Sequence, residues 1–396
     1  MSEGSHPGTR RIGLALFMAG FATFSLIYCT QPLLPEFAAE FGVTPAASSL
    51  ALSLTTGGLA VSILLAGALS ETLGRRGLMF VCMAGAAILN LISSVAPSWN
   101  ALLVTRALEG IVLGGVPAVA MAYLAEEIPR NRLGFAMGLY VSGTAFGGMI
   151  GRVAIGALTE ITSWRIALGT MACADLVIAI LFFFLLPRSR NFTRRRDVSL
   201  AFHTSAWAGH LKNRDMPWLF LIAFLAMGAF VTVYNYAGFR LIEAPYNLNQ
   251  TEIGLIFLAY TLGMVASSLA GAMADRFGRA NVVIAGAAVT FAGLLLTLMT
   301  PLAVVIAGIC VITMGFFAMH AVASGWVGGL AAQNKSHASS LYLLAYYLGS
   351  SVLGSVGGWF WYEGLWPAVV AFCGCLVAAI FAIALSLKVM SRARAP

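Results

Sequence analysis

The stretch "GALSETLGRRG" (67–77) sets one acid and two arginines between long apolar segments, and 204 positions later the same spacing returns as "GAMADRFGRAN" (271–281). A chain of 396 residues therefore carries one small charged cassette in each half. The apolar flanks decide what the cassette joins. The chain is 60% hydrophobic and 10% charged, with mean hydropathy +0.89, whereas a soluble domain is about 45–50% apolar and 25% charged. Membrane-crossing helices need about 20 mostly apolar residues each. Such segments lie at 12–34, 48–70, 77–96, 100–123, 133–158 and 164–186, then at 217–239, 252–273, 281–299, 302–326, 338–361 and 366–388. The runs are continuously apolar, which excludes the alternating ten-residue segments of a β-barrel. An all-α membrane protein of twelve transmembrane helices is expected.

The cations set the orientation. With the N-terminus inside, 19 of the 23 Lys and Arg residues fall in inner segments, and only Arg165 and Arg240 fall in outer loops. This satisfies the positive-inside rule. The net charge of +8 is thereby topological, and nucleic acid is not an expected partner. The longest polar interruption, 188–216, holds seven of these cations. It divides the chain into an N-terminal six-helix bundle (1–187), a basic cytoplasmic linker and a C-terminal six-helix bundle (217–396). Both cassettes then join the second helix of their bundle to the third.

Other chemistries find little support. The six cysteines form no CxxC pair and all lie in predicted spans, so neither a metal nor a redox framework is implied. "GGLAAQNKS" (328–336) resembles the end of a phosphate-binding loop, but Asn334 stands where glycine must precede the lysine. No HExxH occurs. An enzyme is not expected, and no cofactor or metal is.

Paired six-helix halves related in parallel are the architecture of a transporter class, and the loop motifs narrow it. Gly67, Leu69, Glu71, Gly74, Arg75 and Arg76, and in the second copy Gly271, Met273, Asp275, Arg276, Gly278 and Arg279, resemble the signature loop of the major facilitator superfamily. "RALEGIVLGG" (106–115, with Arg106, Glu109 and Gly110) resembles a second family motif. "YCTQPLLP", "NYAGFRL", "FFAMHAVASGW" and "SSLYLLAYYLGSS" are similar to the YnfM-like branch among the drug and arabinose efflux permeases. The resemblance covers nearly the whole chain. It implies alternating access by two rocking bundles, with the loop motif as a cytoplasmic latch, and it implies that the first, fourth, seventh and tenth helices line the cavity.

Physical chemistry gives each cassette residue an expected task. Gly67 and Gly271 allow close helix approach, and Gly74 and Gly278 allow a tight turn. Glu71 and Asp275 sit at helix C-termini, where the macrodipole disfavours an acid, with Arg75 and Arg279 as local partners. Glu71 departs from the family's usual Asp, so the two latches are expected to differ.

Ionisable groups inside spans are costly and usually face a cavity or one another. Here they are Arg106, Glu109, Arg152, Asp175 and His320. Arg106 and Arg152 are each expected roughly 9 Å to the outer side of their helix midpoints at 1.5 Å per residue. Glu109 lies one turn from Arg106 on the same face. The cassette offset maps Arg106, Glu109, Arg152 and Asp175 onto Cys310, Thr313, Val356 and Ala379, none of them charged. The repeat itself does not require these charges. Two readings stay open: structural ion pairs, or proton coupling through Arg106, Glu109, Asp175 and His320. Arg152 sits in "GTAFGGMIGRVAIG" (143–156), which resembles the antiporter glycine motif but has Gly148 at the proline position and Arg152 at the last glycine. It is a candidate for binding substrate charge, with Tyr28, Gln31, Tyr234, Asn235 and Trp326 as further pocket candidates.

The expected function is proton-coupled efflux of small organic solutes from a bacterial inner membrane, with both termini cytoplasmic. The expected partners are a small-molecule substrate, protons and the lipid bilayer, and the expected state is a monomer. The alternatives are an importer of the same fold and, from another class, a channel or membrane receptor.

Overall fold

The computed structural model describes residues 7–189, 200–331 and 333–392. Its helices are α1 (Pro7–Tyr28), α2 (Leu34–Phe41), α3 (Pro45–Ser48), α4 (Leu50–Leu73), α5 (Arg75–Ser94), α6 (Trp99–Leu113), α7 (Gly115–Glu127), α8 (Arg130–Ile161) and α9 (Trp164–Leu185). They continue as α10 (Leu200–Leu211), α11 (Met216–Ile242), α12 (Gln250–Leu255), α13 (Tyr260–Phe277), α14 (Arg279–Leu296), α15 (Leu302–Leu330) and α16 (Lys335–Arg392). Among the described residues, eleven segments are long and apolar enough to cross a membrane, and the last runs from Lys335 to Ser391. That last segment contains two non-helical residues, Gly364 and Leu365, which divide it into two crossings. Twelve crossings result.

The chain groups into two compact units, Met1–Leu33 with Leu54–Val198, and Leu34–Ser53 with Ser199–Pro396. Residues 34–53, assigned by sequence to the first bundle, thus group with the second half. Their contacts supply the reason. Glu36 accepts from Gln250 at 3.0 Å, Ser53 accepts from Ser351 and Ser355 at 2.6 and 2.8 Å, and Ala46 seats against Gly358. The linker is also more than a spacer: its helix α10 docks within the second unit through Trp207 to Ser340 at 3.3 Å and a His203–His337 hydrogen bond of 2.9 Å. Residues 190–199 of the linker lie outside the described residues.

Each unit is knitted by glycines on facing helices, at four-residue spacing in the first. Gly143, Gly147 and Gly151 of α8 lie so close to Phe17, Phe21 and Ser25 of α1 that an added Cβ would come within 3.0 Å of each. In the second unit Gly349 and Gly357 of α16 meet Phe224 and Thr232 of α11, and Gly228 of α11 meets Leu353. Side-chain-free ridges let backbones approach where lipid supplies no hydrophobic drive. The two seams also fix the repeat: Phe17 corresponds to Phe224 and Gly143 to Gly349, an offset of 206–207 positions rather than the 204 of the loops.

The first span ends sooner than its hydropathy suggests. Helix α1 stops at Tyr28 and a turn covers 29–33, because Pro32 has no N–H to give and pushes Gln31 out of helical backbone.

Candidate functional site: a buried polar centre in the first unit

The stop in α1 leaves carbonyls at its C-terminus that lack helical partners, and Arg106 of α6 supplies donors to them. Its Nη2 donates to the carbonyls of Leu26 at 3.1 Å and Ile27 at 2.9 Å. Its Nη1 donates to Asn90 Oδ1 at 3.2 Å and to Glu109. Arg106 and Glu109 are both fully buried, and the pair is neutral. Burying such a pair is costly and tolerable only when further hydrogen bonds satisfy it. Thr55 of α4 anchors α6 beside it, donating to the Arg106 carbonyl at 3.0 Å. A cation at a helix C-terminus is favoured by the macrodipole as well.

Arg152 grips the same end of α1 from α8. Its Nε donates to Gln31 Oε1 at 2.8 Å, its Nη1 to the Gly148 carbonyl at 2.7 Å, and its guanidinium lies 4.1 Å from the centroid of the Tyr28 ring. Gly148, the departure from the motif's proline, is what makes room: a Cβ there would sit 3.2 Å from Arg152 Nη1. The two arginines therefore converge on α1 residues 26–31, but with separate partner sets. Arg106 has its own acid, and Arg152 is seated on Tyr28 and Gln31.

Asp175 of α9 completes the centre. It is 1% exposed, and neither carboxyl oxygen accepts a hydrogen bond. The Ser25 hydroxyl and the Glu109 carboxyl are its polar neighbours. An anionic carboxylate without donors in a dry interior is among the costliest arrangements a protein can hold.

The repeat register shows what the second unit has instead. Thr313 stands at the place of Arg106, and its hydroxyl shares a 2.8 Å hydrogen bond with Tyr234, whose counterpart is Ile27. Phe316 stands at the place of Glu109 and stacks on Phe230 at 3.9 Å with 8° between the planes. Gly358 stands for Arg152, and Asp175 falls on 381–382, again without charge. Tyr234 packs on Phe257 at 4.9 Å. His320 accepts or donates at 3.0 Å with the Tyr342 hydroxyl and lies 4.7 Å from the Tyr346 ring. Asn235 is buried against Gly354. Thus the second unit places an aromatic cluster where the first places charge.

Other sequence candidates move. Trp326 lies thirteen residues beyond Thr313 on α15, roughly 20 Å along the axis, and lines a cavity with Arg279 and Lys388 instead. Arg75 makes a two-point ion pair with Glu126 of α7, at 2.6 and 3.2 Å; its expected partner Glu71 has a side chain outside the described residues. Arg76 stacks 4.1 Å from the centroid of Phe183. Arg279, expected beside Asp275, lies against Gly329. Asp275 is exposed, and it forms no ion pair with Arg279 among the described residues. Gly271 faces open space, with nothing within 4 Å of an added Cβ, so close helix approach is not its task. Gly74 and Gly278 do make the expected turns, with φ of 80° and 88°. Gly67 and the side chain of Glu71 lie outside the described residues.

Residues 16–243 and 241–396 each match the family described as Major Facilitator Superfamily. The chain belongs to the major facilitator superfamily. It is 46% identical to the "Uncharacterized MFS-type transporter YybF" of Bacillus subtilis, over 92% of this chain and 90% of that protein. It is 45% identical to the "Inner membrane transport protein YnfM" of Escherichia coli, over 94% and 89%. Among solved structures, the nucleoside transporter NupG superposes with a TM-score of 0.75 at 15% identity, over 95% of this chain and 99% of that one, a likeness of fold. As a member of the superfamily the chain is an integral, multi-pass membrane transport protein. Its charged centre is built within the first of the two superfamily repeats.

Asn90, Ser25, Glu126 and the Phe230–Phe316 stack take part without having been singled out by sequence. Only Glu126 carries a local signal, as an acid at the end of the fourth span.

Proposed function

We propose that the chain is a proton-coupled exporter of small organic solutes, working by alternating access in a bacterial inner membrane with both termini in the cytoplasm. One observation supports proton coupling above the others. Asp175 is a buried carboxyl whose oxygens accept no hydrogen bond, beside an Arg106–Glu109 pair that is already neutral. An unprotonated Asp175 adds one uncompensated negative charge to that centre, and a bound proton removes it. A group that is carried neutral through the dry interior and ionised where water reaches it is what a proton-driven cycle requires. Glu109, held by Arg106, keeps the arginine charge balanced. Arg152, with Tyr28 and Gln31, supplies polar contacts for solute. The export direction rests on the resemblance of the motifs to efflux permeases.

Flux in proteoliposomes under an imposed pH gradient, with a panel of drugs, sugars and organic anions, tests the reading. Asp175→Asn is expected to retain solute counterflow and to lose gradient-driven transport. Gradient-driven transport at the wild-type level in that variant overturns the assignment. Accumulation in right-side-out vesicles with an acidic exterior, in place of extrusion, overturns the direction.

A further inference from the structure

The second unit carries a cavity of about 290 Å³ at the end where the loop motif turns. Three helices build it. Arg279 and Asn281 come from the start of α14, Trp326 from near the end of α15, and Lys388 and Ser391 from the end of α16. Among the described residues, two cations line it and no acid does. The nearest acid in sequence, Asp275, is exposed and pairs with neither, the ion pairs among the described residues lying elsewhere.

The arginine is positioned rather than loose. A Cβ on Gly329 would come within 2.8 Å of Arg279 Nη1 and 3.1 Å of Nη2, so the guanidinium lies across the bare backbone of α15. Asn281 is fixed by a 2.7 Å bond from its Nδ2 to the Phe277 carbonyl, and Ser391 by a 2.8 Å bond to the Lys388 carbonyl. One N–H of the Asn281 amide and the Ser391 hydroxyl are thereby used inside the protein. The side chains of Arg279, Lys388 and Trp326 bring further N–H groups to the cavity. Like charges converging on one concavity repel, and an anion between them reverses the sign of the interaction. A guanidinium fork and an ammonium point charge suit phosphate oxygens.

We propose that this cavity binds an anionic phosphate group. The ends of three membrane-crossing helices meet here, so the cavity opens at the level where phospholipid heads lie, and half-buried Trp326 is the residue type enriched at that level. Anionic lipid heads and soluble phosphate share the recognised chemistry, and a two-armed binding experiment separates them.

The full-length protein, purified in detergent, is offered phosphatidylglycerol or phosphatidylcholine, and retained lipid is counted by native mass spectrometry. The second arm follows the melting midpoint with inorganic phosphate. Wild type is expected to retain phosphatidylglycerol about tenfold over phosphatidylcholine, the scale of two cations near an anionic head. The double variant Arg279→Gln/Lys388→Gln is expected to lose that preference. Gly329→Ala, which displaces the guanidinium while keeping both charges, is expected to weaken it and serves if the double variant does not purify. A phosphate-dependent rise in melting midpoint in wild type alone, without lipid preference, assigns the site to a soluble anion. Wild type and both variants behaving alike in both arms overturns the proposal.

Discussion

At Arg106 the sequence supplies a cation and the fold supplies four acceptors: two carbonyls of α1, Asn90 and Glu109. A planar five-donor group reaches all of them at once, and an ammonium does not. Arg106→Ala is expected to lower the melting midpoint sharply, since removing one partner of a buried pair costs about 3–5 kcal/mol. Arg106→Lys is expected to recover only part of that loss. A lysine variant as stable as wild type in a thermal unfolding scan would show that the α1 carbonyls do not depend on the fork. The loop glycines make a second residue-scale case. Gly74 has φ of 80° and open space around it, so Gly74→Ala meets no clash and costs only backbone strain, about 1–3 kcal/mol. Gly77, helical and equally open, is the control. Gly77→Ala is expected to be neutral or to stabilise by about 0.5–1 kcal/mol, and equal midpoints for the two variants would remove the turn argument.

Helix packing separates glycines that look alike in sequence. Gly147 sits on the backbone of Phe21 and Gly271 faces open space, yet both read as small residues in apolar helices. Gly147→Ala is expected to force α1 and α8 apart and to reduce both the yield of folded protein and the melting midpoint. Gly271→Ala is expected to leave both unchanged. The reverse order in a size-exclusion and melting comparison would contradict the seam. The linker helix is a second element with a defined seat, held by Trp207 to Ser340, His203 to His337 and His210 to the Asn334 carbonyl at 3.1 Å. Trp207→Ala with His203→Ala is expected to speed proteolytic cleavage of the linker while the melting midpoint holds. Unchanged cleavage rates would show that these contacts do not seat α10.

Over the whole molecule, the two superfamily repeats share a helix plan and differ in what fills them. The first holds Arg106, Glu109, Arg152 and Asp175. The second holds Thr313 and Phe316 at the places of the first two, within an aromatic cluster. Orientation belongs to this scale. Seven cations between 188 and 214 predict a cytoplasmic linker. A cysteine placed at Ser205 should resist a membrane-impermeant thiol reagent in intact cells and react in inverted vesicles, the native cysteines lying within the membrane spans or, for Cys29, buried at the end of one. Labelling in intact cells would invert the topology.

The sequence alone determined the twelve crossings, the repeat and the identity of the buried charges, because hydrophobic length and the cost of charge in lipid are properties of residue type and order. Glycine in both loop turns was equally legible, since a positive φ strains other side chains. Only the tertiary structure decided partners. Arg75 reaches Glu126, 51 residues away, and Arg279 rests on Gly329 rather than beside Asp275. Asp175 stands with carboxyl oxygens that accept no hydrogen bond, beside a pair already neutral. Helix rotation and the register of the glycine seams set these outcomes. Neither is encoded locally, because a hydropathy profile fixes where a helix lies along the chain but not which face it turns toward a neighbour.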